Sequence, residues 1–449
     1  MTCSLRHQPN RSLQVARTGA PQRRPRIARA FADSLRRIRG NARAILLFEP
    51  MWAVPFSMFS VYASLFMREL GLTSQQIGLL ASAGMGSSIV SSSFSGYITD
   101  RLGRRRATLI FDLMAWSAAT LVWATARSFW HFLLAALLNG LMAIPVTSWT
   151  CLLVEDSDPS ERLPIFTALQ MVSVSASFTT PLAGLVIRHY GIVPGTRALY
   201  LFAFVSMTLM FIGRNHFTRE TRVGEARKMA TGSHGLRDSL REHGGALRSM
   251  LRNRQTLMYF LLTALVWFRD SLTLPFGQLL LVDHLGMPGD ILAVFPALGA
   301  TATLLVSGLV LPSLAGREGT GILFGLALSV ASTAILLWAP SGSVPAVAVS
   351  SLVSAAGAAM FMPALNTSWN NALRDGERAQ ILAMSSVVWG LVRLPAGWVG
   401  GQLYAVAPTW PFYAGLALSL VGFALTLAGL GKEAKSMVAG GSNGVERPL

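Results

Sequence analysis

Apolar runs of roughly 20 residues recur along this chain, each long enough to cross the hydrocarbon core of a bilayer as one helix. Twelve are read, near 45–67, 75–98, 107–126, 129–153, 163–187, 197–214, 255–281, 290–312, 319–339, 344–371, 379–404 and 411–430. Inside lipid the backbone has no water to bond, so each run satisfies its own N–H and C=O groups as a helix. With 52% hydrophobic and 13% charged residues among 449, the chain lies outside the range of soluble domains. The expected fold is an all-α membrane protein.

A formal charge of +17 could mark a nucleic-acid binder, but the distribution speaks for a membrane instead. Of the 38 Lys and Arg, only Arg68, Arg127, Arg188 and Arg197 fall in the loops of one face, and only Arg269 and Arg393 fall within helices. The rest lie in the tails and in every second loop, which places both termini in the cytoplasm. The expectation is a multi-pass protein of the plasma (inner) membrane, monomeric, with the lipid bilayer as its surroundings and no nucleic-acid partner.

Residues 1–44 are Arg-rich and almost free of acids, and read as a disordered cytoplasmic tail, with an organelle transit peptide or an over-long gene start as the alternatives. A six-helix bundle is expected over 45–214 and a second over 255–431, before a cytoplasmic tail at 432–449. Between them, 215–254 reads as a basic cytoplasmic linker with amphipathic spacing at Leu236, Leu240, Leu247 and Leu251. Cys3 and Cys151 are a poor disulfide pair, and no metal, nucleophile-elbow or phosphate-loop motif appears. No cofactor, metal or catalytic residue is expected, and the chain does not read as an enzyme.

Between the second and third apolar runs stands G-Y-I-T-D-R-L-G-R-R-R, from Gly96 to Arg106. Glycine permits a tight turn, Asp100 can pair with a nearby guanidinium, and the arginines hold the hairpin in the cytoplasm. A faint internal repeat supports two related halves. The run from Pro145 and the run from Pro363 each carry Thr-Ser-Trp, and each leads to Glu-Arg before the next helix (Glu161-Arg162 and Glu377-Arg378).

The G-x-x-x-D-R-x-G-R-R string resembles the signature between helices 2 and 3 of the major facilitator superfamily. The resemblance covers about residues 45–430 and implies two pseudo-symmetric six-helix bundles around a central site. It implies that Asp100, Arg101, Arg104 and Arg105 form a charge cluster at the cytoplasmic gate, with Gly96 and Gly103 in close-approach and turn roles. It also implies secondary active transport by alternating access, driven by a proton or other ion gradient. Drug-antiporter motifs are incomplete: Ala136 stands where an arginine is common in helix 4, and Ala176 and Thr180 replace two glycines of helix 5. Efflux of a small organic solute is the leading expectation. Import of an organic anion, sugar or siderophore-like solute is the alternative, as is a non-transporting ligand sensor or a lipid flippase of this fold.

Ionisable groups inside membrane helices are costly and usually face the protein interior. Glu49, in helix 1, reads as a proton carrier or cation binder, or else as a structural pair with a loop arginine. Asp112, in helix 3, is expected to pair with Arg104, Arg105 or Arg106. Arg269, Asp270 and Arg393 are expected near mid-membrane; one or both arginines bind an anionic substrate group or alternate between substrate and Glu49, or else Asp270 and Arg393 lock helices 7 and 11. Polar and aromatic residues expected along a cavity are Trp52, Tyr62, Asn139, Gln170, Trp267, Asn366, Trp369 and Asn370. Small residues in helices 2 and 11, among them Gly397, Gly400 and Gly401, permit close helix contact.

Overall fold

The computed structural model describes residues 38–229, 253–314, 316–373 and 378–441, all helix and connecting turn with no strand among them. The expectations for 1–37, for the four leucines of the linker and for 442–449 lie outside the described residues. Eleven spans are long and apolar enough to cross a bilayer: α1 (Gly40–Ser60 and Ala63–Glu69, bent by 45°), α2 (Ser74–Leu102), α3 (Arg104–Thr125), α4 (Phe129–Val154), α5 (Glu161–Tyr190), α6 (Ile192–Phe217), α7 (Arg254–Asp283), α8 (Ile291–Leu314), α9 (Glu318–Trp338), α10 (Val344–Ala372) and α12 (Trp410–Gly429). Between α10 and α12, the twelfth expected rod, α11, is a pair of shorter helices, Arg378–Arg393 and Ala396–Val406.

Local chemistry sets where these helices begin and break. Thr73 starts α2 with a capping box: its hydroxyl accepts from the Gln76 N–H, and the Gln76 side chain accepts from the Thr73 N–H. Asn253 caps α7 by accepting from the N–H groups of Gln255 and Thr256. Prolines stand at several of the interruptions, where each lacks an N–H and crowds the carbonyl four residues earlier; the 45° bend of α1 has no proline in the helix that follows it. Pro145 follows the break at Leu141–Met142 in α4, and Pro395 stands at the break in α11. Pro55 frees the Met51 carbonyl within α1, and the Ser206 hydroxyl of α6 donates to it at 2.7 Å.

The two bundles meet at the face opposite the Gly103 loop. There α2 and α11 cross on glycines: a Cβ on Gly397 would stand 2.9 Å from both the Gly78 carbonyl oxygen and the Ala81 Cβ. Gln75 donates to Gln402 at 3.0 Å, and the Trp398 N–H donates to Ser82 at 2.9 Å. Arg68, at the end of α1, pairs with Asp283, at the end of α7, and the Tyr404 hydroxyl donates to the same carboxylate at 2.7 Å. Thr180 of α5 donates to the Ala293 carbonyl in the first turn of α8.

The hydrophobic core follows the same asymmetry. One buried cluster runs from Phe59, Tyr62 and Phe66 of the first bundle into Phe276, Leu280, Phe295 and Tyr404 of the second. Toward the basic face the cores are separate: Ile45, Leu153 and Ile165 pack in one bundle, and Phe260, Trp369 and Trp389 pack in the other. Apolar burial therefore joins the halves at one end of the molecule and not at the other. The structure is closed on the face opposite the basic loops.

Candidate functional site

The signature loop turns on Gly103, whose φ of +86° is a conformation that side chains with a Cβ avoid. Beyond it, the first N–H groups of α3 need acceptors. Glu220, just after α6, supplies them: one carboxylate oxygen accepts from the Arg104 N–H at 3.0 Å and the other from the Arg105 N–H at 3.1 Å. Arg104 is 2% exposed. Its guanidinium is shared between Asp100, at 2.7 Å, and Glu155 of α4, at 3.2 Å. Arg105 donates to the Asn215 carbonyl, and Arg101 to the Tyr97 hydroxyl. Gly96 faces open space. These contacts hold α2, α3, α4 and the start of the linker together within the first bundle. Glu220 is not marked in the sequence because an acid scattered through a basic linker carries no periodic signal.

Deeper in the same bundle, Asp112 pairs with Arg214 of α6, and both are at least nine-tenths buried. This corrects the expected pairing with Arg104, Arg105 or Arg106. Those side chains begin at the membrane end of α3 and serve the loop, whereas Asp112 lies two turns inward and faces α6. The apolar run at 197–214 ends on Arg214, but α6 continues to Phe217, which brings the charge of Arg214 inside. Straight after Asp112 the chain winds as a π-helix over Leu113–Ala118, a distortion that turns Trp116 toward the same space.

Asp112, Arg214 and Glu49 line one cavity of about 200 Å³, together with Trp52, Trp116 and Trp149. Glu49 sits at the break before Pro50. Its charged neighbours are Arg214 and Asp112 rather than a loop arginine. No described residue donates a hydrogen bond to its carboxylate. Two carboxylates therefore face one guanidinium. With Asp112 and Arg214 engaged with each other, the negative charge of an ionised Glu49 is unmatched.

A second cavity, of about 460 Å³, runs along α2 and α4 and reaches Pro275 and Arg393 of the other bundle. Met142, at the break in α4, forms part of both cavities. Asn139 lines the second cavity while its amide donates to the Ala115 carbonyl at 3.0 Å. Arg393 donates through Nε to Ser271 at 2.9 Å and stacks over the Trp267 ring at 5.1 Å.

The expected joint site of Arg269 and Arg393 is not assembled. Arg269 turns into the seam of α7, α9 and α12, where it donates to Ser329 and Ser419 at 2.8 and 3.0 Å and twice to its own neighbour Asp270. The long guanidinium stem folds back along the helix, which lets adjacent residues meet although their Cβ atoms diverge. No ion pair joins Asp270 to Arg393 among the described residues. Trp369 packs at 4% exposure in an aromatic cluster with Trp389 and Phe260, and Tyr62 is fully buried in the core that crosses the bundles. Neither lines a described cavity. Gln170, Asn366 and Asn370 are exposed, the last two one turn apart on α10.

A family model described as Major Facilitator Superfamily matches residues 52–397. Among solved structures, a variant of the nucleoside transporter NupG superposes with a TM-score of 0.68 at 14% identity, covering 86% of this chain and 99% of that one. A POT family transporter in complex with a thioalcohol-conjugated peptide superposes with a TM-score of 0.64 at 15% identity, over 90% of this chain and 99% of that one. A bacterial metal transporter follows at 0.58 and 16% identity, over 86% and 98%. At these identities the likeness is one of fold. No curated protein sequence matches the chain.

Proposed function

This chain belongs to the major facilitator superfamily, and from that premise we propose that it is a proton-coupled secondary transporter of a small organic solute, working by alternating access. The single observation that carries the reading is the pair of adjacent cavities. One holds Glu49 beside the Asp112–Arg214 pair, and the other is largely apolar and reaches from one bundle to the other. Met142 forms a wall of both, so occupancy of one bears on the shape of the next.

Glu49 is the proton carrier. Protonation removes the charge that Arg214, already committed to Asp112, does not match. A neutral Glu49 lets the first bundle move past apolar surface without carrying a bare charge through it. The Asp112–Arg214 pair keeps its own charges matched throughout and serves as the fixed reference.

With the basic loops assigned to the cytoplasm, the closed face is the outer one. The state described here is then the cytoplasm-facing one, in which an exporter loads its solute and an importer releases it; export is the first reading. Uptake of an organic anion is the second reading, and one observation suits the anion: Arg393 has no carboxylate partner among the described residues. Reversing the imposed pH gradient separates the two.

The test is flux in proteoliposomes under an imposed pH gradient. Glu49→Gln is expected to abolish gradient-driven accumulation, by roughly a hundredfold or more, and to leave solute–solute exchange at equal pH intact. Full accumulation by Glu49→Gln would remove Glu49 from the coupling step.

A further inference from the structure

We propose that Arg393 is the receptor for the carboxylate of an amphipathic monoanionic solute. The inference rests on the transport reading above and names the class of its substrate. Three ionised side chains stand near mid-membrane in the second bundle: Arg269, Asp270 and Arg393. Asp270 accepts both of its Arg269 bonds on one oxygen, at 2.7 and 2.9 Å. The other terminal nitrogen of Arg269 reaches Ser329 and Ser419. That pair is internally matched, and Arg393 is the surplus positive charge.

A guanidinium carries five N–H donors in a rigid fork. Arg393 spends Nε on Ser271, and its terminal N–H groups have no hydrogen-bond partner among the described residues. The guanidinium lies over the Trp267 ring, its central carbon 5.1 Å from the ring centroid, and its terminal N–H edge is left for a ligand. A planar group that accepts two parallel hydrogen bonds fits that edge, and a carboxylate is such a group. A surplus cation beside a membrane-embedded cavity is stabilised by a counter-anion, and one positive charge calls for one negative.

The rest of the cavity defines the solute's other end. Among the described residues Arg393 is the sole charged one lining the roughly 460 Å³ cavity; Met85, Trp123, Phe132 and Met142 make much of the remaining wall. Methionine and aromatic side chains adapt to varied apolar bodies. Asn139 and Ser88 offer limited polar contact, since the Asn139 amide already donates to Ala115. A sugar or a dianion would leave hydroxyls or a second charge without partners. An aryl or alkyl carboxylate leaves neither.

The test compares 4-phenylbutyrate, 4-phenylbutyramide and 4-phenylbutylamine as ligands for the full chain in detergent, read by tryptophan fluorescence and by calorimetry. The carboxylate is expected to bind roughly tenfold to a hundredfold more tightly than the amide and the amine. Arg393→Gln is expected to bring the carboxylate down to the affinity of the amide, and Arg393→Lys to keep part of the preference. Equal binding of the amide or amine overturns the proposal. So does failure of the carboxylate to bind, or a preference that persists in a folded Arg393→Gln. If Arg393→Gln does not fold, the three ligands on the unaltered chain decide. Proton-driven flux of the amide alone would overturn this inference and keep the transport reading, whereas carboxylate binding without flux of any solute would do the reverse.

Discussion

Two single residues concentrate the physical demands of the first bundle. Arg214 neutralises Asp112 at a site where both are buried, and removal of one partner leaves the other as a bare interior charge. Arg214→Met is expected to destabilise the protein by about 3–5 kcal/mol, read as a lowered melting temperature in detergent. The double variant Asp112→Asn with Arg214→Met is expected to recover most of that loss, because it removes the orphan rather than the bond. Gly103 is the other. Its backbone has φ +86°, and a Cβ there would meet the Glu220 carboxylate that caps α3. Gly103→Ala is expected to lower stability by about 1–2 kcal/mol, and Glu220→Gln by less, since an amide oxygen still accepts one of the two N–H bonds.

At the scale of helices, most of the fold is written in the sequence. A span of apolar residues fixes a crossing whatever its neighbours do, and the helix ends follow from Thr73, Asn253 and the turn glycines. Rotation of each helix about its axis is not fixed in this way. It decides that Arg269 faces α9 and α12 while Arg393, at similar depth on α11, faces the space between the bundles. Spacing along one chain cannot separate those outcomes, because the partners come from other helices. Arg214 was hidden for a related reason: a charge at a helix end reads as loop until the helix is seen to continue. Glu49 was legible as an ionisable group beside a proline, but its neighbours were not. The α2–α11 crossing belongs to this scale as well. Its glycines bring backbone against backbone, so Gly397→Val is expected to wedge the helices apart. The check is labelling of a cysteine placed at Ser82 by an impermeant maleimide from the face opposite the basic loops. Labelling should rise several-fold over the parent, and an unchanged rate would mean that this crossing does not seal the face.

For the molecule as a whole, alternating access requires one motion. The bundles share apolar core and hydrogen bonds at one face and separate cores at the other, so transport requires that this asymmetry reverse. The most direct test needs no knowledge of the solute. In a chain freed of Cys3 and Cys151, cysteines replace Gln75 and Gln402, whose side chains meet across the closed face at 3.0 Å, and a third replaces Ser88 in the larger cavity. A short bifunctional thiol reagent then ties α2 to α11 before an impermeant maleimide is offered to either side of sealed vesicles. The untied protein should be labelled at position 88 from both sides, and the tied protein from the basic side alone. Labelling of the tied protein from the opposite side, or an untied protein that is never labelled from there, would contradict alternating access in this chain.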